Sequence, residues 1–180
     1  MFKRSESFKE RIVLRPASLP DYPLIERWLK QAEVQRWWGS LAAAQSSVMA
    51  ALRKPMGLCS IIIVNGEPAG YAQAQDAPAG LPSLPADLTA GCFRVEAFIG
   101  EPRFRAIGAG RIALRLVAEE VFSTTLALGL YVVVPLSNEA AVSAHEKAGF
   151  KWIRVIDDPL FGPSWLMRME RPQPSPAAAI

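Results

Sequence analysis

The 180-residue sequence is poor in the side chains that bind metal ions. It holds one histidine, His145, and two cysteines, Cys59 and Cys92, which stand far apart in apolar, strand-like runs. Structural zinc sites instead group several cysteines and histidines at short spacings, as in CxxC pairs. The sequence therefore predicts no metal site. Two buried free thiols are typical of a reducing compartment, so we expect a cytoplasmic protein.

Runs of one charge sign and long apolar runs are also missing. Lys and Arg total 20 against 17 Asp and Glu, and no basic run exceeds two residues, so nucleic acid is not an expected partner. The apolar stretches are far shorter than a membrane span, and the charged segment 1–10 lacks the apolar core of a signal peptide. We therefore expect no membrane association, and the sequence leaves monomer and homodimer open.

What the chain does have is a core: hydrophobic residues make up 51% of it, enough for one domain. We assign residues 1–171 to that domain and predict a disordered Pro/Ala-rich tail over 172–180. The residue patterns predict a strand, two helices, a three-strand meander, a helix, a strand, a helix and two strands. The predicted segments are 11–15, 20–30, 41–53, 58–64, 67–75, 91–99, 108–122, 127–134, 138–149, 150–156 and 165–169. This order predicts an α/β fold, a mixed central sheet with helices on both faces, and residues 76–90 read as a surface loop.

The sharpest local signal is RAIGAG at residues 105–110, directly before an amphipathic helix. Backbone N–H groups at a helix start bind phosphate oxygens, and Gly108 and Gly110 leave that backbone bare. A glycine-rich helix start without a ligand remains an alternative. A Rossmann dinucleotide site fits Gly108-x-Gly110-x-x-Ala113 but lacks the tight strand-to-helix turn and an acidic residue near position 130.

The R-x-x-G-x-G pattern resembles the acetyl-CoA pyrophosphate loop of the GNAT superfamily. A second block, NEAAVSAHEKAGF at residues 138–150, resembles the family signature N-x-x-A-x-x-x-Y-E-K-A-G-F. The resemblance implies the GNAT fold, acetyl-CoA as cosubstrate and an N-acyltransferase activity.

Three further segments resemble a subfamily that joins aminoglycoside 6′-N-acetyltransferases and siderophore-biosynthesis acyltransferases. They are VQRWWG at 34–39, GEPAGYAQ at 66–73 and FIGEP at 98–102, and the first two resemble the aminoglycoside branch. This implies acetylation of a primary amine on a small molecule, as in antibiotic resistance. A siderophore-type acyltransferase and a non-catalytic acyl-CoA sensor remain alternatives.

The resemblance also implies the site residues. Glu96 is the implied general base, against the alternative of a strand glutamate paired with Arg94. His145 replaces the family's tyrosine and is the implied acid for the departing thiolate, or else only fills space. The implied cofactor-binding residues are Phe98, Ile99, Arg105, Ile107, Gly108, Ala109, Gly110, Arg111 and Asn138. The candidate substrate-binding residues are Trp37, Trp38, Tyr71 and Asp158.

One departure bears on the acceptor. The aminoglycoside branch tends to carry an aspartate in the strand before the asparagine helix, where this chain reads YVVVP at 131–135. A polycationic acceptor needs several carboxylates, so the sequence predicts an amine of lower charge.

Overall fold

The computed structural model describes residues 11–54, 58–76 and 91–173, which form a seven-stranded sheet and five α-helices. The strands are β1 Ile12–Pro16, β2 Leu58–Val64, β3 Glu67–Asp76, β4 Cys92–Ile99, β5 Gly129–Pro135, β6 Lys151–Asp158 and β7 Gly162–Glu170. The helices are α1 Tyr22–Leu29, α2 Ala32–Trp38, α3 Leu41–Arg53, α4 Ala109–Thr124 and α5 Glu139–Ala148. Single 3-10 turns cover Leu19–Asp21 and Pro102–Phe104.

The sheet has the order β1-β2-β3-β4-β5-β7-β6 and is antiparallel except between β4 and β5. Helices α4 and α5 pack on one face, over a core that includes Val95, Val117 and Val132. Helices α1 to α3 pack on the other face, around Trp28 and Tyr71. The predicted mixed sheet with helices on both faces is confirmed.

Local signals explain where several elements begin and end. Asn65 and Gly66 have positive φ angles of 52° and 88°, and they form the tight turn between β2 and β3. Ser40 caps α3, its hydroxyl accepting from the backbone N–H of Ala43 at 3.3 Å. Gly149 ends α5 in the left-handed conformation, at φ 114°.

Strand β4 places alternate side chains on opposite faces of the sheet, as the two-residue period of a strand requires. Val95 packs into the core beneath α4, with Ala97 and Ile99 beside it. The residues that alternate with these three along β4 therefore face α1 to α3, and Phe98 joins the core on that side. This alternation places Glu96 on the same face as Phe98.

The parallel pairing of β4 and β5 is short. It joins only Cys92–Gly129, Phe93–Leu130 and Arg94–Tyr131, although both strands continue beyond these pairs. Within the described sheet, the far ends of β4 and β5 therefore diverge and leave backbone groups without a strand partner.

The structure adds helix α2, which sequence analysis left out: Val34 is its single fully buried residue, so it lacks a strong apolar stripe. The predicted surface loop and tail lie mostly outside the described residues. No helix in the described part of the chain is long and apolar enough to cross a bilayer.

Candidate active site

A cavity of about 800 Å³ opens between the diverging ends of β4 and β5. Its walls come from both strands, α2, the start of α4, α5 and the turn between β6 and β7. The predicted residues that line it are Trp37, Trp38, Glu96, Phe98, Ile99, Arg105, Ile107, Gly108, Ala109, Gly110, Arg111, Asn138, His145 and Asp158. The fold thus gathers all but one of the predicted site residues around one space.

The start of α4 presents bare backbone to this cavity. Gly108 precedes the helix in the left-handed conformation, at φ 86°. A Cβ built on Gly110 would have no contact nearer than 4.0 Å, to Ile99 Cγ1, so the space beside it is open. The first N–H groups of a helix have no intrahelical partner and carry the positive end of its dipole. This end of α4 therefore fits a diphosphate group.

The two arginines at this loop have different surroundings. The Arg105 guanidinium donates to the backbone carbonyls of Ile99 at 3.0 Å and Gly100 at 3.1 Å, and to Gln31 Oε1 at 2.7 Å. These contacts fix the loop to the end of β4, so they do not support a direct phosphate contact by Arg105. Arg111 is exposed and makes no hydrogen bond or ion pair to the rest of the described chain. Its charge is available to an anion.

Glu96 faces the cavity and is held from two sides. Its Oε1 accepts from the Arg94 guanidinium at 2.8 Å, and its Oε2 accepts from Gln73 Nε2 at 2.6 Å. The Glu96 side chain is 26% exposed, and that of Arg94 is 40% exposed. Glu96 therefore pairs with Arg94, as one interpretation of its sequence position expects, and also lines the cavity, as a general base must.

Helix α5 brings Asn138 and His145 to the opposite wall. Asn138 Oδ1 accepts from the N–H of Ala141 at 3.2 Å and so caps the helix. His145 Nδ1 lies 2.7 Å from the Ala141 carbonyl oxygen. A carbonyl only accepts, so Nδ1 carries the proton. Burial lowers the pKa of His145. At neutral pH the ring is therefore neutral, and its single N–H is already used.

Acidification is expected to destabilise the wild type more than a His145→Phe variant. The pKa of His145 lies below its value in an unfolded chain, about 6.5, because burial disfavours the cation. As the pH falls below about 6.5, the unfolded state binds a proton that the folded state does not, and stability is lost. Phenylalanine cannot titrate. The drop in Tm between about pH 7.5 and 5.5 should be smaller in the variant, and equal drops would contradict this account of the ring.

An aromatic cluster forms the wall beneath α2. The Trp38 ring meets Phe98 edge to face at 4.9 Å, and Trp37 lies under the Arg36 guanidinium at 4.7 Å. Both tryptophans line the cavity. Tyr71 does not: it is fully buried, with its ring 6.4 Å from that of Trp38. The Tyr71 ring packs against Trp38 beneath the cavity wall, so the structure does not support the predicted contact of Tyr71 with substrate.

The turn between β6 and β7 closes the far side. Asp158 Oδ1 accepts from the N–H groups of Leu160 at 2.9 Å and Phe161 at 3.0 Å. Asp158 therefore stabilises the turn and also lines the cavity. Sequence reasoning missed Leu160 and Phe161, and it missed Glu33 because α2 was not recognised.

The sequence and the fold are similar to those of known acetyltransferases. Residues 18–158 match the family model of the acetyltransferase (GNAT) domain. The aminoglycoside N(6′)-acetyltransferase type 1 of Klebsiella pneumoniae is 24% identical over 150 residues, covering 79% of this chain and 75% of that protein.

Solved structures of the aminoglycoside acetyltransferase AAC(6′)-Ib are similar over most of the chain. One holds paromomycin and acetyl-CoA, with a TM-score of 0.74, 26% identity, and coverage of 89% of this chain and 93% of that one. Another holds coenzyme A and kanamycin, again with a TM-score of 0.74 and 26% identity, and covers 89% of this chain and 95% of that one. With the family model spanning most of the sequence and the site built as described, this chain belongs to the GNAT family of acetyltransferases.

Proposed function

We propose that this protein transfers an acetyl group from acetyl-CoA to a primary amine of a small molecule, as an aminoglycoside 6′-N-acetyltransferase-like enzyme. One observation carries the proposal: the Glu96 carboxylate and the bare N-terminus of α4 open onto the same cavity. The first is suited to deprotonate an amine, and the second is suited to hold a diphosphate.

The residues present fit acetyl-CoA. Gly108 and the first residues of α4, Ala109 and Gly110, would hold the diphosphate, with Arg111 nearby as a counter-charge. Phe98 and Ile99 lie where β4 has left β5, and Asn138 lies on the facing wall. Acetyl-CoA supplies an acetyl thioester, whose carbonyl carbon an amine can attack.

The protein's part in the chemistry begins with the amine, which arrives as an ammonium ion at neutral pH. Glu96 takes one proton, so that the nitrogen lone pair can attack the thioester carbon. A C–N bond forms and the C–S bond breaks, with the electron pair going to sulfur. The amide nitrogen gives up its second proton, the thiolate gains one, and the reaction releases one proton overall. Neutral His145 has no free N–H to give this thiolate, so this hydrogen bond does not support the predicted role of His145 as the acid.

The charges around the cavity favour an acceptor with few ammonium groups. Among the described residues, the acidic side chains that line it are Glu33, Glu96 and Asp158, and Arg94 already pairs with Glu96. Apolar Val133 and Val134 line the wall at the β5 end. A polycation would bury ammonium groups there without partners, which is unfavourable.

With acetyl-CoA as donor, we expect the protein to acetylate a small primary amine bearing one or two positive charges. We expect it to leave a lysine-rich histone-like peptide unmodified. The measurement is release of free thiol across a panel of amines of rising charge, including kanamycin and a mono-amino sugar. Turnover of the peptide with no turnover of any small amine would overturn the proposed acceptor class.

We further propose residues 1–171 as one acetyltransferase domain located in the cytoplasm. In support, the Arg171 guanidinium donates to the carbonyl oxygens of Phe122, Thr125 and Ala127, at 2.7, 2.6 and 2.7 Å, and so ties the end of this range to the core. Whether the protein is a monomer or a homodimer stays open.

A further inference from the structure

We propose that Gln73 is a positioning residue for Glu96, and that Ser47 on α3 holds Gln73 in place for this task. The inference rests on the proposed function, in which Glu96 is the general base. It concerns a side chain on the neighbouring strand that the proposed chemistry does not touch directly.

Gln73 and Glu96 are cross-strand neighbours. They lie opposite each other in the register of β3 and β4, and Gln73 Nε2 donates to Glu96 Oε2 at 2.6 Å. Gln73 is 1% exposed, one of three fully buried polar residues in the described chain. A buried amide is costly unless it is hydrogen-bonded, so its partners fix where it sits.

The remaining hydrogen bonds fix which way the amide points. Tyr71 donates its hydroxyl to Gln73 Oε1 at 3.0 Å, and Gln73 Nε2 donates to Ser47 Oγ at 3.0 Å. Burial raises the pKa of Tyr71 far above its ordinary value, so the hydroxyl keeps its proton and remains a donor. A carboxylate only accepts, so the NH₂ group must face Glu96. Both N–H donors and the carbonyl oxygen of the amide are used.

The other partner of Glu96 is less suited to hold it still. Arg94 is 40% exposed and reaches Glu96 from the same strand, where solvent competes for the guanidinium. Gln73 is anchored between β3 and α3, and it therefore sets the position of the carboxylate. Small displacements of a reacting group lower rates strongly, so this contact should affect turnover.

A double-mutant cycle tests the inference. Gln73→Met keeps the side-chain length and removes the donor, and we expect kcat/KM to fall about tenfold. Acetyl-CoA should still raise Tm as in the wild type. In the Glu96→Gln background the same substitution should change kcat/KM less than about twofold, because two residues that act through one contact are not additive.

Gln45→Met is the matched control. Gln45 Nε2 also donates to a carboxylate, Glu26 Oε1 at 2.8 Å, but away from the cavity. Its effect on kcat/KM should be small and independent of Glu96. Should Gln73→Met fail to fold, Ser47→Ala releases one anchor only. It is expected to lower kcat/KM about threefold, with the same dependence on Glu96 and with Ser47→Thr restoring activity.

The outcomes distinguish a failure of the positioning role of Gln73 from a failure of the proposed base, Glu96. If Glu96→Gln lowers activity while the Gln73 effect is additive to it, Gln73 is a structural residue and the positioning role is overturned. If Glu96→Gln is fully active, the proposed base itself is wrong, and the positioning role fails with it.

Discussion

Glu96→Gln is expected to lower kcat/KM by about 10²–10⁴-fold, the usual cost of removing a general base. Glutamine keeps the size of the side chain and can still bond to Gln73, but it cannot take a proton from the ammonium of the acceptor. Binding of acetyl-CoA, followed as a rise in Tm, should be unchanged, because Glu96 faces the side of the sheet covered by α1 to α3, whereas α4 packs on the other side.

Arg94→Gln is the matched control for this substitution. It breaks the 2.8 Å pair between Arg94 and Glu96 yet leaves the carboxylate in place, so kcat/KM should fall less than about tenfold. Full activity of Glu96→Gln from about pH 6 to 9 would show that Glu96 is a structural strand residue.

The acyl-CoA sensor alternative predicts a different result. It would be favoured if the wild type and His145→Tyr both bind acetyl-CoA tightly and neither turns over any amine.

Gly110→Asp is expected to abolish binding of coenzyme A while leaving the protein folded. The new side chain enters open space, since the nearest atom to a Cβ at Gly110 is 4.0 Å away. There it places a carboxylate where the diphosphate would lie. Coenzyme A at a hundred times its Kd stabilises a protein by about 2.7 kcal/mol. For a domain of this size this corresponds to a rise in Tm of about 5–10 °C, which the variant should lose.

The control for this experiment is Gly66→Asp. It adds the same side chain and charge in the turn between β2 and β3, where no atom lies within 4 Å of a Cβ at Gly66 and Gly66 does not line the cavity. This variant has a positive φ of 88° to accommodate and can lose some stability, but it should keep the full rise in Tm with coenzyme A. An unchanged rise in folded Gly110→Asp would refute the assignment of the loop.

The parts of the site that sequence analysis predicted well are those set by local structure. The bare start of α4 follows from Gly108 and Gly110, and the bounds of α5 follow from Asn138 at its cap and Gly149 beyond its end. Each of these features depends on a few consecutive residues, so a short motif identifies it.

The parts that sequence analysis could not give depend on contacts between distant segments. Gln73 meets Glu96 only through the pairing of β3 with β4. Arg105 looks like a free cation in sequence, but its guanidinium donates to the carbonyls of Ile99 and Gly100, at and just after the end of β4, and to Gln31. Tyr71 is buried in the core formed with α1, α2 and α3, and α2 has too weak an apolar stripe to be recognised from its residues.

The cavity at the diverging ends of β4 and β5 is lined by segments that lie far apart along the chain. Residues of β4, α4 and α5 line the cavity, and so do residues of α2 and of the turn at Leu160 and Phe161. The end of α2 lies beside this turn, since a Cβ at Gly39 would be 3.5 Å from Leu160. Helix α2 and this turn are short, and both lie far along the chain from the proposed phosphate-binding loop at residues 105–110. Exchanging these two segments for the equivalent segments of a relative offers a route to change which amine is accepted, while the segments proposed to bind acetyl-CoA are retained.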